Sequence, residues 1–154
     1  MKKILHYTLI FTFILNITIS LFARIDAYFE IEALSWLTPV DIMWYLPAYP
    51  ATMITVGFSV FVLDGESALA LAIGAISLLL PAIALIGCLV KNKSVWGYRI
   101  LVYPILVLSF LAGIAPAFKA GEVLILIMAA IYLAIAVLNE VLPEQRFNQS
   151  EVSK

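Results

Sequence analysis

Five long apolar runs, separated by short polar connections, make up most of the chain. They cover residues 4–22, 42–63, 67–90, 100–118 and 123–142. The run at 67–90 holds no ionisable residue, and as a helix it is about 36 Å long, more than the roughly 30 Å of a bilayer's hydrocarbon core. The pattern predicts an all-α integral membrane protein, a compact bundle of four to five transmembrane helices with short loops.

The connection at 24–41 differs from the others because it mixes charged and apolar side chains. Its apolar residues recur at helical spacing, and its carboxylates fall elsewhere. That arrangement is typical of an amphipathic helix lying in the membrane interface. We predict one amphipathic interfacial segment here, and a polar tail at 143–154, where Pro143 ends the last helix.

Prolines predict where the apolar helices start and bend. In the second run, Pro47 and Pro50 are expected in the first turns, where a missing N–H costs least. In the third run, Pro81 is expected to kink the helix. In the fourth run, Pro116 is expected to interrupt the helix.

The distribution of lysine and arginine bears on topology. With five spans and the amino terminus inside, six cations lie outside and three inside, against the positive-inside rule. Five spans with the amino terminus outside reverse that count. Four spans with the amino terminus inside, and with 42–63 kept on the outer side, put seven cations inside and two outside. The sequence leaves these arrangements open, and 42–63 is the run that decides between them.

Composition narrows the class of protein. The chain of 154 residues is 64% hydrophobic and 12% charged, which leaves room for a single transmembrane domain and no soluble one. A net charge of −1 argues against nucleic acid as a partner. With Cys88 as the sole cysteine and His6 as the sole histidine, we predict no catalytic, cofactor or metal site and no enzymatic activity.

Small residues in the last two runs predict close helix contacts. Gly113, Ala117 and Gly121 follow one another at four-residue spacing, and Ala130 and Ala134 repeat that spacing in the fifth run. Such faces let helix backbones approach each other closely in membranes. They are the candidate surface for helix packing or for a partner.

Hydroxyl and amide side chains in the first two runs are the candidate polar lining of a channel. This set comprises Thr8, Thr12, Asn16, Thr52, Thr55 and Ser59. The first three repeat every four residues, so we expect them on one face of their helix. They serve either to bond back to their own helix or to pack against other helices.

A second polar set lies at the ends of the runs, where water and headgroups can solvate it. It comprises Asp64, Glu66, Glu122, Asn139 and Glu140. The plain interpretation is carboxylates solvated at the interface. The sharper one makes Glu122 or Glu140, together with Asn139, part of a cation or proton entry site.

Two functions from different classes are consistent with these features. The first is a helical bundle that binds another membrane protein or a second copy of itself, as an accessory, assembly or immunity-type protein. The second is a small oligomeric channel or carrier. We expect the lipid bilayer as surroundings, and the small size, compact loops and Met-Lys-Lys start favour a bacterial inner membrane.

Overall fold

The computed structural model describes residues 2–29, 45–60, 66–91, 93–119 and 123–142. Within these ranges the protein is all-helical and contains no strand, which confirms the predicted helical bundle. The five helices are α1 (Lys2–Phe29), α2 (Tyr49–Val60), α3 (Glu66–Val90), α4 (Val95–Lys119) and α5 (Val123–Val141).

Among the residues that the structure describes, three helical stretches are long and apolar enough to cross a membrane. They are Lys2–Phe22 in α1, Val95–Ile114 in α4 and Val123–Val141, which is the whole of α5. In α3, the stretch Ala75–Val90 is a shorter apolar helix among the described residues. By length and composition these helices match the predicted membrane type.

Helix α1 extends further than the first apolar run predicts. It continues through Phe29, into the segment expected to form a separate interfacial helix from residue 24. No glycine or proline occurs between residues 22 and 29, so nothing in the local sequence ends the helix there. The rest of that segment, 30–41, lies outside the described residues, as does the tail at 143–154.

Helix α2 begins later than the second apolar run predicts. Residues 45–48 form a turn, and the helix is described over Tyr49–Val60, while 61–65 lie outside the described residues. Pro47 therefore lies in the turn, and Pro50 lies in the first helical turn. The twelve described residues of this helix are about 18 Å long.

Proline does not end either of the next two helices. Helix α3 continues past the buried Pro81. The backbone of α4 continues through residue 116 to Lys119, so the prediction that Pro116 interrupts the helix is wrong. A proline this close to the helix end removes one backbone hydrogen bond, and only about one further helical turn follows it, so the cost of continuing the helix is small.

The four long helices form a closed ring in which each contacts two neighbours. Contacts run from α1 to α3, from α3 to α4, from α4 to α5 and from α5 back to α1, while α2 packs against α3 and α4. The turn between α3 and α4 is tight: the Ser94 N–H donates to the Val90 carbonyl (2.9 Å), and the Gly97 N–H donates to the Ser94 hydroxyl (3.0 Å). Ser94 is thus the N-cap of α4.

Apolar side chains cover much of the outer surface of the bundle as well as its interior. Many large apolar residues point outward, including Phe11, Leu79, Ile86, Leu111 and Ile131, while six polar side chains are buried. A water-soluble domain of this size places its charged and polar groups outward instead. This distribution fits a bundle whose outer surface faces lipid.

Candidate functional site

One end of the bundle carries a buried cluster that we call the polar node, formed by His6, Lys91, Tyr98 and Asn139. The Lys91 Nζ donates to the backbone oxygen of Asn139 (2.6 Å) and lies 5.1 Å from the centre of the Tyr98 ring. The Tyr98 hydroxyl donates to the Ala136 carbonyl (3.2 Å). The Asn139 Nδ2 lies 3.4 Å from the His6 Nδ1. The node therefore joins all four long helices.

The burial of the node shows that it is part of the bundle and not a solvated surface. Tyr98 and Asn139 are fully buried, and His6 and Lys91 are half-buried. Because a buried polar group costs free energy unless it is bonded, the bonds of Lys91 and Tyr98 favour the observed relative heights of the helices, although the Asn139 Oδ1 is buried without a partner among the described residues. It also places the start of α1, the end of α3 and the end of α5 at the same end of the molecule.

Next to the node, a charged group bridges α4 and α5. The Arg99 guanidinium forms an ion pair with Glu140, in which its Nε donates to Oε1 (2.7 Å). The Tyr103 hydroxyl donates to the other carboxylate oxygen (2.9 Å). Arg99 also lies over the Trp96 ring, 5.9 Å from its centre. The Glu140 carboxylate thus has partners at both oxygens and acts as a bridge between helices.

A second group of buried polar side chains, which we call the polar layer, lies deeper in the bundle. Its members are Asn16, Ser20, Thr52, Ser77 and Ser109. Measured along each helix from the node, Asn16 and Ser109 lie about 15–17 Å away and Ser20 and Ser77 about 21 Å away. Thr52 is at the same height, because the preceding residue bonds to Ser109.

Helix α2 begins inside the bundle at the height of the polar layer. The Tyr49 N–H donates to the Leu46 carbonyl (3.3 Å), and the Ala51 N–H donates to the Ser109 hydroxyl (3.3 Å). Pro50 has no N–H to satisfy. Ser109 in turn donates to the Pro47 carbonyl. The first-turn donors of α2 are therefore all bonded or absent, which lets the helix start away from water.

Two members of the polar layer lack hydrogen-bond partners. The Asn16 Nδ2 and the Ser20 Oγ are buried and unbonded, and their residues are 1% and 2% exposed. On the same helix, Leu15 and Ile19 pack against Leu46 and Tyr49 at the start of α2. The unbonded groups therefore lie beside the segment where α2 begins.

The threonines of the predicted polar lining bond to their own helices. Thr8 donates to the Ile4 carbonyl (2.9 Å), Thr12 to that of Thr8 (2.9 Å) and Thr52 to that of Ala48 (3.0 Å). Thr55 donates to carbonyls one turn back in the same way, and the side chain of Ser59 lies outside the described residues.

The structure places Asn16 in the buried stripe of α1 and the two threonines beside that stripe. The stripe is Leu9, Phe13, Asn16 and Ser20, and Thr8 and Thr12 are half-buried at one edge of it. At 3.6 residues per turn, each four-residue step rotates the side chain by about 40°, so the set turns by about 80° from first to last.

The small residues predicted for helix contact are divided between the inside and the outside of the bundle. Gly113 is buried, and a Cβ added there would lie 3.4 Å from the Leu126 Cα of α5. Ala117 and Ala130 are half-buried, whereas Ala134 is exposed. Gly121 lies outside the described residues. Gly113 therefore contacts a neighbouring helix, and whether Ala134 contacts a partner stays a prediction.

Of the polar residues predicted at helix ends, Asn139 and Glu140 are brought together with cationic groups. Asp64 and Glu122 lie outside the described residues, as does the side chain of Glu66. Among the residues that the structure describes, no group of three or more His, Cys, Asp and Glu side chains could hold a metal ion.

The sequence did not single out several residues that the structure places in these clusters. Ser20 follows Asn16 by four residues, which is a readable signal of a shared helix face. Ser109 is a lone hydroxyl among apolar residues and carries no such signal. His6 and Lys91 carry no such signal either, because their partners are 133 and 48 positions away in the chain.

Comparison with protein-family models, curated proteins and solved structures gives no match.

Proposed function

We propose that the protein is an integral membrane protein that binds another membrane protein, with no reaction of its own. The observation that carries this proposal is the state of its polar groups. The hydroxyls of the threonines bond to carbonyls one turn back, Arg99 pairs with Glu140, and Lys91 bonds to the Asn139 carbonyl. This leaves apolar outward surfaces as what the described part of the bundle offers to its surroundings.

The proposed topology has four spans, α1, α3, α4 and α5, with the start of α1 and the end of α5 at the cytoplasmic side. The node holds the start of α1 at the same end as the turn between α3 and α4, so an even number of crossings separates them. Lys2, Lys3, Lys91, Lys93 and Arg99 then share one end, as the positive-inside rule requires of a cytoplasmic face. Helix α2, which begins inside the bundle beside Ser109, is the covered segment on the outer side in this topology.

The outer face of α5 is the surface that we assign to the partner. Ile127, Ile131, Ala134 and Leu138 are exposed along it. Ala134 is the small residue at which another helix can approach closely. Gly113, the other small residue in this region, is already used within the bundle.

A photo-crosslinking residue in place of Ala134 tests this assignment in native membranes. We expect a discrete crosslinked protein band, which an additional Leu138→Trp substitution on the same face should weaken. The matched control carries the crosslinker in place of Leu79, an exposed residue of α3. Crosslinking to lipid alone at Ala134, or the same protein bands from both positions, would contradict the proposal.

The second candidate function is an oligomeric channel or carrier, and the polar layer is the observation that favours it. Buried polar residues where a membrane helix is broken are the usual setting of a transport site. Reconstituted protein should show no ion flux or solute uptake in liposomes if partner binding is its function. Flux that is lost in Asn16→Leu or Ser109→Ala would establish the transport function instead.

A further inference from the structure

The starting point is the contrast between Ser20 and the threonines of the same helix. Thr8, Thr12 and Thr18 all bond back to backbone carbonyls one turn earlier. This is the ordinary way in which a hydroxyl is satisfied inside an apolar helix. The Ser20 hydroxyl has no such bond, although it is only 2% exposed.

Asn16 lies one helical turn away with the same deficit. Its Nδ2 carries two N–H donors and has no acceptor, in a residue that is 1% exposed. An unsatisfied polar group of this kind costs about 1–3 kcal/mol. Two of them on adjacent turns of one face call for an acceptor that none of the described residues supplies.

The chemistry of the surroundings defines what can bind. The polar layer is made of amide and hydroxyl side chains, so nothing in it compensates a buried charge. The start of α2 offers no free donor to an anion, because its first-turn N–H groups are bonded or missing. The acceptor must therefore be neutral and must present an oxygen to the amide N–H and to the hydroxyl.

We propose that Asn16 and Ser20 form a binding site, inside the bundle beside the start of α2, for the oxygen atom of a small uncharged molecule. Water is the smallest such molecule, and the carbonyl or hydroxyl group of a small amphiphile from the membrane has the same chemistry. The site is independent of the partner surface on α5, so the two proposals succeed or fail separately.

The sign of a stability change tests the site. Ser20→Ala removes the hydroxyl without adding volume, and Asn16→Leu replaces the amide with an apolar side chain of similar size. If an acceptor is bound, each variant loses its bond and leaves the acceptor unpaired, so the apparent Tm in detergent should fall by about 2–4 °C or more. If nothing is bound, removing an orphaned polar group should leave the Tm unchanged or raise it, and that result overturns the proposal.

Two controls keep this measurement interpretable. Thr18→Val removes an exposed, back-bonded hydroxyl two residues from Ser20 and should leave the Tm almost unchanged. Ser20→Ala adds no volume and so introduces no steric clash. Its Tm therefore tests the site even if Asn16→Leu fails to fold. A fall in Tm for Ser20→Ala, with Thr18→Val unchanged, supports the site.

A thiol-labelling experiment identifies the source of the oxygen. Ser20→Cys is made together with Cys88→Ala and treated with a small methanethiosulfonate reagent, which needs a hydrated thiolate. The native Cys88 of the unmodified protein, fully buried in the apolar core, is the dry reference. Labelling of residue 20 much faster than Cys88 identifies water. Equally slow labelling, together with the fall in Tm, identifies an amphiphile, which native mass spectrometry should then detect.

Discussion

At the scale of single residues, Ser109 joins two segments that are far apart in the sequence. Its hydroxyl donates to the Pro47 carbonyl and accepts from the Ala51 N–H, so one side chain completes the turn and the first turn of α2. Both backbone groups are buried. An apolar interior offers these two groups no other hydrogen-bond partner, so the Ser109 hydroxyl contributes more to stability than its size suggests.

We expect Ser109→Ala to lower stability because it leaves both backbone groups unpaired, at about 1–3 kcal/mol each. The matched control is Thr52→Val, which removes an equally buried hydroxyl that only bonds back to Ala48. That change should cost about 0.5–1.5 kcal/mol. Thermal unfolding in detergent compares the two, and equal losses would show that Ser109 does not hold the start of α2.

Gly87 lies where α3 packs tightly against α4. A Cβ added there would lie 2.8 Å from both the Leu101 Cβ and the Val102 Cγ2. We therefore expect Gly87→Ala to push the helices apart and to destabilise the bundle by about 1–3 kcal/mol, despite the higher helix propensity of alanine. Reduced detergent stability and a lower yield of folded protein are the readouts.

Gly97→Ala is the control for this prediction. The nearest atom to an added Cβ at Gly97 is 3.4 Å away, at the Val90 Cγ1, so the methyl group makes an ordinary contact. This variant gains the same helix propensity without the clash and should be as stable as the unmodified protein. If Gly87→Ala behaved like Gly97→Ala, the two helices would have to be further apart than the structure places them.

At the scale of elements, the sequence predicts the limits of α3 and α5 to within one residue, because apolar runs bounded by polar turns carry their limits locally. Helix α4 begins five residues before its apolar run, because Ser94 caps it, and it continues through residue 116. The sequence cannot predict the break before α2, since the residues of that turn are as apolar as a membrane helix. What permits the break is a hydroxyl 62 positions away. The same applies to the node and the ion pair beside it. The sequence points to Asn139 and Glu140, but not to their partners His6 and Arg99, which are 133 and 41 positions away.

Lys91 links the end of α3 to the end of α5 by a hydrogen bond. Lys93, in the same turn, provides a matched control for its contribution to stability. We expect Lys91→Met to destabilise the bundle, because it removes a charge-assisted bond to the Asn139 carbonyl, worth about 1.5–3 kcal/mol, and the contact with the Tyr98 ring. Lys93 is exposed, so Lys93→Met should have little effect. Equal unfolding temperatures for the two variants would contradict the role of Lys91.

At the scale of the whole molecule, closure of the ring and the start of α2 inside the bundle support the proposed four-span topology together. Four spans return the chain to the end where it started, whereas a fifth crossing at 42–63 would place the start of α1 opposite the turn between α3 and α4. The contact between His6 and Asn139 favours the first arrangement. In the proposed topology, the number of crossings is thus a consequence of side-chain contacts that the hydropathy pattern does not contain.

Side-specific labelling of single cysteines tests this consequence directly. In a Cys88→Ala background, we expect Lys3→Cys and Ser94→Cys to be labelled from the same side, which the positive-inside rule makes the cytoplasm. Ser67→Cys, at the start of α3, should be labelled only from the opposite side, because α3 is a helix of 25 residues, about 37 Å long. Labelling of residues 3 and 94 from opposite sides would mean that 42–63 crosses the membrane and that the contact between α1 and α5 at the node does not form.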